Sequence, residues 1–287
     1  MSEPAVRVED LRKTYGDRDV VDGLTFHIDA GETFALLGPN GAGKSTTVEI
    51  LEGYRHRSGG VATVLGDDPA AAHRAWKSRI GVVLQTAGQA GNATVREQVA
   101  QFAAYYPHPR NVDEVIAAVG LSAQAKTRIS RLSGGQQQRV GVALGVVGRP
   151  DVLFLDEPTT GFDPEARREF WDLIRALKAD GTTIVLTTHY LDEAANLADR
   201  VGVIAAGRMR AIGSVDGIGD ARMRTPIVRW REAGEVREER TDAPLAFARS
   251  LGDRLGGEPE DLEIVRPSLE DVYLDLVAAA PADTPTA

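Results

Sequence analysis

The sequence contains no cysteine among its 287 residues. This absence excludes disulfide bonds, a cysteine nucleophile, and zinc or iron–sulfur sites with cysteine ligands, and it fits a reducing compartment. No apolar run approaches the roughly 20 residues that a membrane-spanning helix requires. The first residues, MSEPAVRVED, include neither a basic segment nor an apolar core, so we expect no signal peptide there.

Positive charge is scarce relative to negative charge. The chain has 33 Lys and Arg against 42 Asp and Glu, which gives a net charge of −9. This balance argues against a nucleic-acid partner, because the phosphates of such a partner would be repelled. The length and the 43% hydrophobic content suit a folded chain with one large domain, or one plus a smaller domain.

Short apolar segments alternate with helical segments along much of the chain. The first 37 residues read as strands, and further apolar runs lie at 61–65, 80–84, 152–155, 184–186 and 201–204. This alternation predicts an α/β fold around a mostly parallel sheet. Residues 94–148, in contrast, read almost entirely as helices and predict a helical insertion.

The last quarter of the chain has a different pattern. After a Gly-rich linker at 214–225, residues 226–277 predict a small α+β module with two strands, a helix, a third strand and a final helix. Ser268 and Asp271 form a capping-box pattern at the start of the final helix. Residues 278–287 are small and contain proline, so we expect a disordered tail.

A phosphate-binding loop is predicted between a strand and a helix, because Gly38, Gly43, Lys44 and Ser45 have the spacing G-x-x-x-x-G-K-S. Its glycines let backbone N–H groups close around an anion, and the helix N terminus adds its dipole. We expect Lys44 to reach the β- and γ-phosphates of ATP, and Ser45 to ligate Mg²⁺. The loop residues expected to bind ATP are Gly38, Pro39, Asn40, Gly41, Ala42, Gly43, Lys44, Ser45 and Thr46.

Two further segments fit phosphate chemistry. An apolar strand ends in Asp156, which suits a water-mediated Mg²⁺ contact, and the next residue, Glu157, suits polarising the attacking water. General-base catalysis of this kind typically accelerates a reaction by a factor of ~10²–10⁴. A second turn opens a helix at Ser133, Gly134, Gly135 and Gln136. Two glycines in a first turn weaken a helix, which makes sense if a ligand phosphate must approach the backbone closely.

The phosphate-binding loop, the acidic strand and the LSGGQ segment together resemble the ATP-binding subunit of an ABC (ATP-binding cassette) transporter. This resemblance implies a P-loop cassette over residues 1–213, with a mixed-sheet core, an antiparallel β subdomain and a helical subdomain at about 86–149. It also implies four further roles: adenine stacking for Tyr15, a Q-loop glutamine and Mg²⁺ ligand at Gln85, a D-loop aspartate at Asp163, and a switch histidine at His189. Asp163 has a structural reading as well, because it precedes Pro164 as the N-cap of a helix.

The resemblance implies that two cassettes pair head to tail. Each ATP–Mg²⁺ would then lie between the phosphate-binding loop of one chain and the signature residues Ser133, Gly134, Gly135 and Gln136 of the other. Glu157, His189 and Gln85 would form the catalytic set. A separate integral membrane permease would convert closure and reopening of the pair into transport, with this chain cytoplasmic and peripheral on the cytoplasmic face of the membrane.

The ending from Arg266 to Leu274 resembles that of ABC-2-type exporters, including the daunorubicin- and multidrug-resistance-like group. It implies an exporter ATPase, in which the small C-terminal module contributes to dimer contact or regulation. One alternative is a soluble ABC ATPase that acts on nucleic acid or ribosomes. The acidic charge and the absence of a heptad run between Gln85 and Ser133 argue against it. Another is an inactive regulatory cassette, which the full set of hydrolytic residues argues against.

Overall fold

A computed structural model describes residues 3–71, 73–83 and 92–278. Gln85, the expected Q-loop glutamine, lies outside these ranges, as does nearly all of the expected tail. Within the described residues, no helix has both the length and the apolar character needed to span a bilayer.

The central sheet has six strands, and its order in space is β5-β6-β7-β3-β8-β9. In chain order these strands are β3 (Thr33–Leu37), β5 (Ile80–Val83), β6 (Val152–Asp156), β7 (Thr183–Thr187), β8 (Arg200–Ala205) and β9 (Arg208–Ser214). The first five in the spatial order are parallel, and β9 pairs antiparallel with β8. Every residue of β3 and β7 is buried, which is typical of parallel strands covered on both faces.

A smaller antiparallel sheet packs beside the central one. Its strands, in the spatial order β2-β1-β4, are β1 (Val6–Tyr15), β2 (Arg18–Ile28) and β4 (Gly59–Val64). The contact between the sheets includes stacked rings of Phe26 and Phe34, whose centroids are 5.5 Å apart. The expected mixed-sheet core with an antiparallel β subdomain is therefore confirmed.

The helices of the cassette occupy the connections between strands. They are α1 (Lys44–Leu51), α2 (Arg74–Lys77), α3 (Val95–Ala103), α4 (Val112–Ala118), α5 (Gly134–Val146), α6 (Pro164–Ala179) and α7 (Leu191–Leu197). Helices α3, α4 and α5 make up the helical insertion, and each begins at a side-chain cap: Thr94, Asn111 or Ser133. Asp163 caps α6 by accepting a 2.8 Å hydrogen bond from the Ala166 N–H.

The C-terminal residues form a third sheet and two helices. The sheet has the order β11-β10-β12, with β10 at Ile227–Glu232, β11 at Glu235–Arg240 and β12 at Glu260–Val265. Helix α8 (Pro244–Leu255) covers it around a small core of Val228, Trp230 and Leu251. The final helix, α9 (Leu269–Ala278), begins at the expected capping box, where the Asp271 N–H donates to the Ser268 hydroxyl at 3.3 Å.

The segment between β9 and β10 packs closely against the cassette. Ile218 is buried in the main core cluster, and the Arg224 guanidinium donates to the carbonyls of Ile218 at 2.7 Å and Val215 at 2.8 Å. A Cβ on Gly219 would lie 2.7 Å from a methyl carbon of Val272, so glycine permits a close approach to α9. The residues expected as a linker thus form a packed connection in the described structure.

Candidate nucleotide-binding site

The glycine-rich loop joins β3 to α1, so that it lies at the carboxyl end of a central parallel strand. Gly43 has φ of 101°, and a Cβ there would lie 2.6 Å from the Val20 carbonyl oxygen. Glycine is required at this position both for its backbone conformation and for this close contact. The loop therefore has the shape in which backbone N–H groups and the α1 N terminus surround an anion.

Lys44 is the first residue of α1 and is only 6% exposed. Its ammonium group donates to the carbonyls of Gly38 at 2.7 Å and Pro39 at 3.1 Å, which hold it along the loop. Burial lowers the pKa of Lys44, and the carboxylates of Glu157 and Asp156 partly restore it. A triphosphate in the loop would supply the negative charge that this buried cation lacks.

The carboxylates that follow β6 are positioned by β7. The Thr187 hydroxyl donates to Asp156, and the Glu157 N–H donates to the Thr187 carbonyl at 3.0 Å. Burial raises the pKa of Asp156, and the nearby Glu157 and Glu49 raise it further. Glu157 itself has φ of 45°, a conformation that costs energy for a residue with a side chain and that occurs at functional sites.

His189 follows β7 and meets Glu157 directly. Its Nδ1 lies 3.3 Å from Glu157 Oε2, and 44% of its side chain is exposed. The two groups thus form a directly contacting pair that lines the cleft, where a water molecule could contact both of them. The sequence predicted both residues for catalysis, and the fold brings them into contact.

The loop, Glu157 and His189 line a single cleft of about 630 Å³. The complete lining is Val20, Gly38, Pro39, Asn40, Gly41, Gly43, Lys44, Ser45, Thr46, Glu157, His189 and Tyr273. Ala42 and Asp156 are not part of this lining: Ala42 is buried, and Asp156 accepts a hydrogen bond from Thr187 of β7. Val20 and Tyr273 were not anticipated, because neither belongs to a local motif that marks a nucleotide contact.

The expected signature residues line a different cavity, of about 640 Å³. Ser133 through Gln136 and Thr160 through Asp163 form two of its walls, and the lining shares no residue with the first cleft. Ser133 caps α5 by accepting from the Gln136 N–H at 3.3 Å, while the Ser133 N–H donates to the Gln136 side chain at 3.1 Å. Within one chain, the signature and D-loop residues therefore lie together but away from the phosphate-binding loop.

Tyr15 is at the end of β1 and is 40% exposed. Its ring does not line the cleft; instead it lies 4.8 Å from the Lys13 ammonium and 5.8 Å from the Arg55 guanidinium carbon. The adenine-stacking role expected for Tyr15 therefore remains a prediction, since its ring contacts two cations outside the cleft lining.

A Mg²⁺ ion fits the residues present. Ser45 through its hydroxyl and Asp156 through water would offer oxygen atoms, which this cation prefers as ligands. Among the described residues no group of three or more His, Asp or Glu could hold a metal ion by itself. Such a cation would therefore be held jointly by these side chains, water and phosphate oxygens, as is usual for Mg²⁺ in phosphoryl-transfer sites.

Comparison with known proteins agrees with this geometry. A family model described as ABC transporter matches residues 21–160. Nod factor export ATP-binding protein I of Burkholderia pseudomallei (strain 1710b) is 36% identical, covering 96% of this chain and 98% of that protein. The protein of the same name from Sinorhizobium fredii (strain NBRC 101917 / NGR234) is 37% identical, covering 96% of this chain and 86% of the relative. A solved ATP binding subunit of an ABC transporter superposes with a TM-score of 0.69 and 27% identity, over 74% of this chain and 90% of that one. The chain therefore belongs to the family of ABC transporter ATP-binding subunits, whose members hydrolyse ATP to drive transport.

Proposed function

We propose that this chain is the ATPase of an exporter, that it acts as a pair of identical chains, and that it drives a separate membrane permease. The observation that carries the proposal is the cleft in which the phosphate-binding loop, Glu157 and His189 meet. The match to export ATP-binding proteins over nearly their full length supports the export direction. Those relatives are named for Nod factor export. For the present chain, we propose that the permease determines which cargo is exported.

Hydrolysis follows from the contacts in the cleft. Lys44 and the loop amides neutralise the phosphates, so that the terminal phosphorus becomes accessible to attack. Glu157 Oε2, 3.3 Å from His189 Nδ1, accepts a proton from a water molecule that His189 helps to orient. The water oxygen bonds to the terminal phosphorus as the bond from that phosphorus to the β-phosphate oxygen breaks, which releases ADP and phosphate. Ser45, and Asp156 through water, would hold Mg²⁺, which would neutralise charge that develops on the phosphate oxygens. Gln85, outside the described residues, is assigned as a further ligand of the cation by the family resemblance.

Pairing is needed because one chain presents only half of a complete site. Its phosphate-binding cleft and its signature cavity are separate and share no lining residue, which supports contribution of the two to different nucleotides. In a head-to-tail pair, Ser133 and the α5 N terminus of one copy would face the terminal phosphate held by the other. The N-terminal end of α5 would then add a second set of backbone donors to the anion.

A membrane permease is the partner that supplies cargo selection and location. The chain is proposed to sit on the cytoplasmic face of the membrane through that partner. Transport of drugs, as in multidrug resistance, is one cargo class that this assignment accommodates. The alternative of a soluble ATPase acting on nucleic acid or ribosomes is not favoured, because the relatives that match over nearly the whole chain are export proteins.

ATP hydrolysis in the presence of different partners tests the proposal. The purified chain is assayed with vesicles containing the permease encoded by an adjacent gene, with DNA, and with ribosomes. We expect permease vesicles to stimulate hydrolysis and DNA and ribosomes to have no effect. Lys44→Ala should abolish activity, while Lys126→Ala, an exposed lysine in the helical insertion, should not. Stimulation by DNA or ribosomes alone would contradict the export assignment.

A further inference from the structure

Helix α9 belongs to the C-terminal module in sequence but packs on the cassette. Val272, 1% exposed, and Leu276, 9% exposed, lie in the main core cluster together with Ile218. The module's own core of Val228, Trp230 and Leu251 is separate. Helix α9 contacts α7, β8 and β9, the elements that follow His189 in the chain. It therefore connects the module to the nucleotide site.

Tyr273 is the residue of α9 that reaches the cleft. It is half-buried and lines the same cleft as Lys44 and His189. Its hydroxyl has no hydrogen-bond partner among the residues that the structure describes. A phenol is a neutral hydrogen-bond donor at neutral pH, and partial burial raises the pKa of Tyr273 further from that range.

The position of α9 indicates which part of a nucleotide Tyr273 would meet. Helix α7 begins two residues after His189, and α9 packs against α7. Because Tyr273 and His189 line the same cleft, we infer that Tyr273 lies on the side of His189, where the terminal phosphate would lie. An unpartnered phenol facing phosphate oxygens is a suitable donor, because hydrogen bonds to charged acceptors are among the stronger ones.

We propose that Tyr273 is a nucleotide-contacting residue whose hydroxyl donates a hydrogen bond to the terminal phosphate of ATP, so that the C-terminal module responds to the presence of ATP in the cleft. The inference rests on the proposed function, since it requires ATP in this cleft. It gives the module a role that differs from simple dimer contact. The coupling is reciprocal: an interaction that stabilises the position of α9 would increase the affinity for ATP, and bound ATP would stabilise that position by the same coupling free energy.

The test compares the full chain with its Tyr273→Phe, Tyr273→Ala and Leu274→Ala variants. Leu274 is the matched control, because it is the next residue of α9 and is 55% exposed. Affinities for ADP and for an ATP analogue with a non-hydrolysable β,γ-imido bridge are measured at concentrations where light scattering shows monomer. We expect Tyr273→Phe to weaken binding of the ATP analogue roughly ten- to hundredfold, the range for one hydrogen bond to a charged group, and to leave the affinity for ADP unchanged. Leu274→Ala should change neither affinity.

Amide hydrogen exchange supplies the second readout. The ATP analogue should slow exchange in α9 of the wild-type chain, ADP should not, and Tyr273→Ala should remove the effect. Wild-type affinity in both Tyr273 variants, with unchanged exchange in α9, would overturn the inference while leaving the proposed function intact. The inference would also be overturned if the Tyr273 variants lost affinity for ADP as much as for the ATP analogue. It would be overturned as well if the variants impaired only the pairing of two copies. Failure of the wild-type chain to bind either nucleotide would overturn the proposed function itself.

Discussion

The guanidinium of Arg167 lies over the ring of Tyr190, with its central carbon 4.5 Å from the ring centroid. The Tyr190 ring in turn lies 4.1 Å from that of His189, which contacts Glu157. Arg167 is in the first turn of α6, the helix that begins immediately after the D-loop residue Asp163. The segment expected to meet a second copy is therefore joined by packed side chains to the residue expected to orient the attacking water.

The buried carboxyl group of Glu193 also interacts with Arg167. Glu193 lies in α7 and is fully buried, which raises its pKa, while Thr188, Thr159 and Trp171 offset part of the shift. The positive charge of Arg167 also lowers the pKa of Glu193. Arg167 therefore interacts with two residues that follow His189 in the chain: its guanidinium lies over the Tyr190 ring, and its charge stabilises the ionised form of Glu193.

Removal of Arg167 should slow hydrolysis more than it weakens binding. Without the guanidinium, the Tyr190 ring loses a cation–π contact and His189 loses its support, so we expect kcat to fall roughly five- to tenfold with little change in KM. Steady-state ATPase kinetics measure both constants. Arg168→Ala is the matched control, because Arg168 is adjacent and exposed. A rise in KM at unchanged kcat would contradict the positioning role.

Replacement of Tyr15 tests the adenine assignment. Tyr15→Ala should weaken ATP binding by about 1–2 kcal/mol, the range for base–aromatic stacking, and should weaken binding of ADP and AMP equally. Equilibrium titration with the three nucleotides measures this. Tyr54→Ala serves as the control, since Tyr54 is more exposed and also lies near Arg55. Unchanged affinities in Tyr15→Ala would remove Tyr15 from the site.

Glu52 predicts a pH dependence of stability in the nucleotide-free chain. Burial, with Asp156 and Glu49 nearby, raises the pKa of Glu52 from its usual 4.5 to about 8. Between these pH values the folded chain retains a proton that the unfolded chain releases, so the free energy of unfolding falls as pH rises. Glu52→Gln removes this contribution.

Chemical denaturation at several pH values checks the prediction for Glu52. The wild-type chain should lose stability relative to Glu52→Gln from about pH 4.5 to about pH 8, and the difference should level off above that range. Glu114→Gln, on the exposed surface of α4, is the control and should follow the wild type. Parallel curves for wild type and Glu52→Gln would contradict the protonated state of Glu52 in the folded chain.

Local chemistry explains which parts of the fold were predictable from sequence. The cap of α6 at Asp163 and the capping box at Ser268 depend on residues within three positions, and both formed as expected. The fully buried strands β3 and β7 were also evident, because parallel strands covered on both faces read as continuous apolar runs.

Long-range packing explains what the sequence did not reveal. Nothing local to Tyr273 indicates that it lines the cleft with Lys44, because that contact depends on α9 packing against α7. A Gly-rich composition likewise predicted a linker at 214–225, and it gave no sign that Ile218 is buried in the cassette core. The cation–π contact of Arg167 with Tyr190 joins α6 to the segment before α7, and no sequence spacing predicts it.

The central claim is that ATP is bound between two copies of this chain and hydrolysed with the help of Glu157. Glu157→Gln removes the proton acceptor but keeps the shape of the cleft, so ATP should bind and remain intact. Multi-angle light scattering of this variant should show monomer with ADP and a dimer with ATP and Mg²⁺, while Glu114→Gln should show no lasting dimer. A Glu157→Gln chain that stays monomeric with ATP, or that still hydrolyses it at the wild-type rate, would contradict the account.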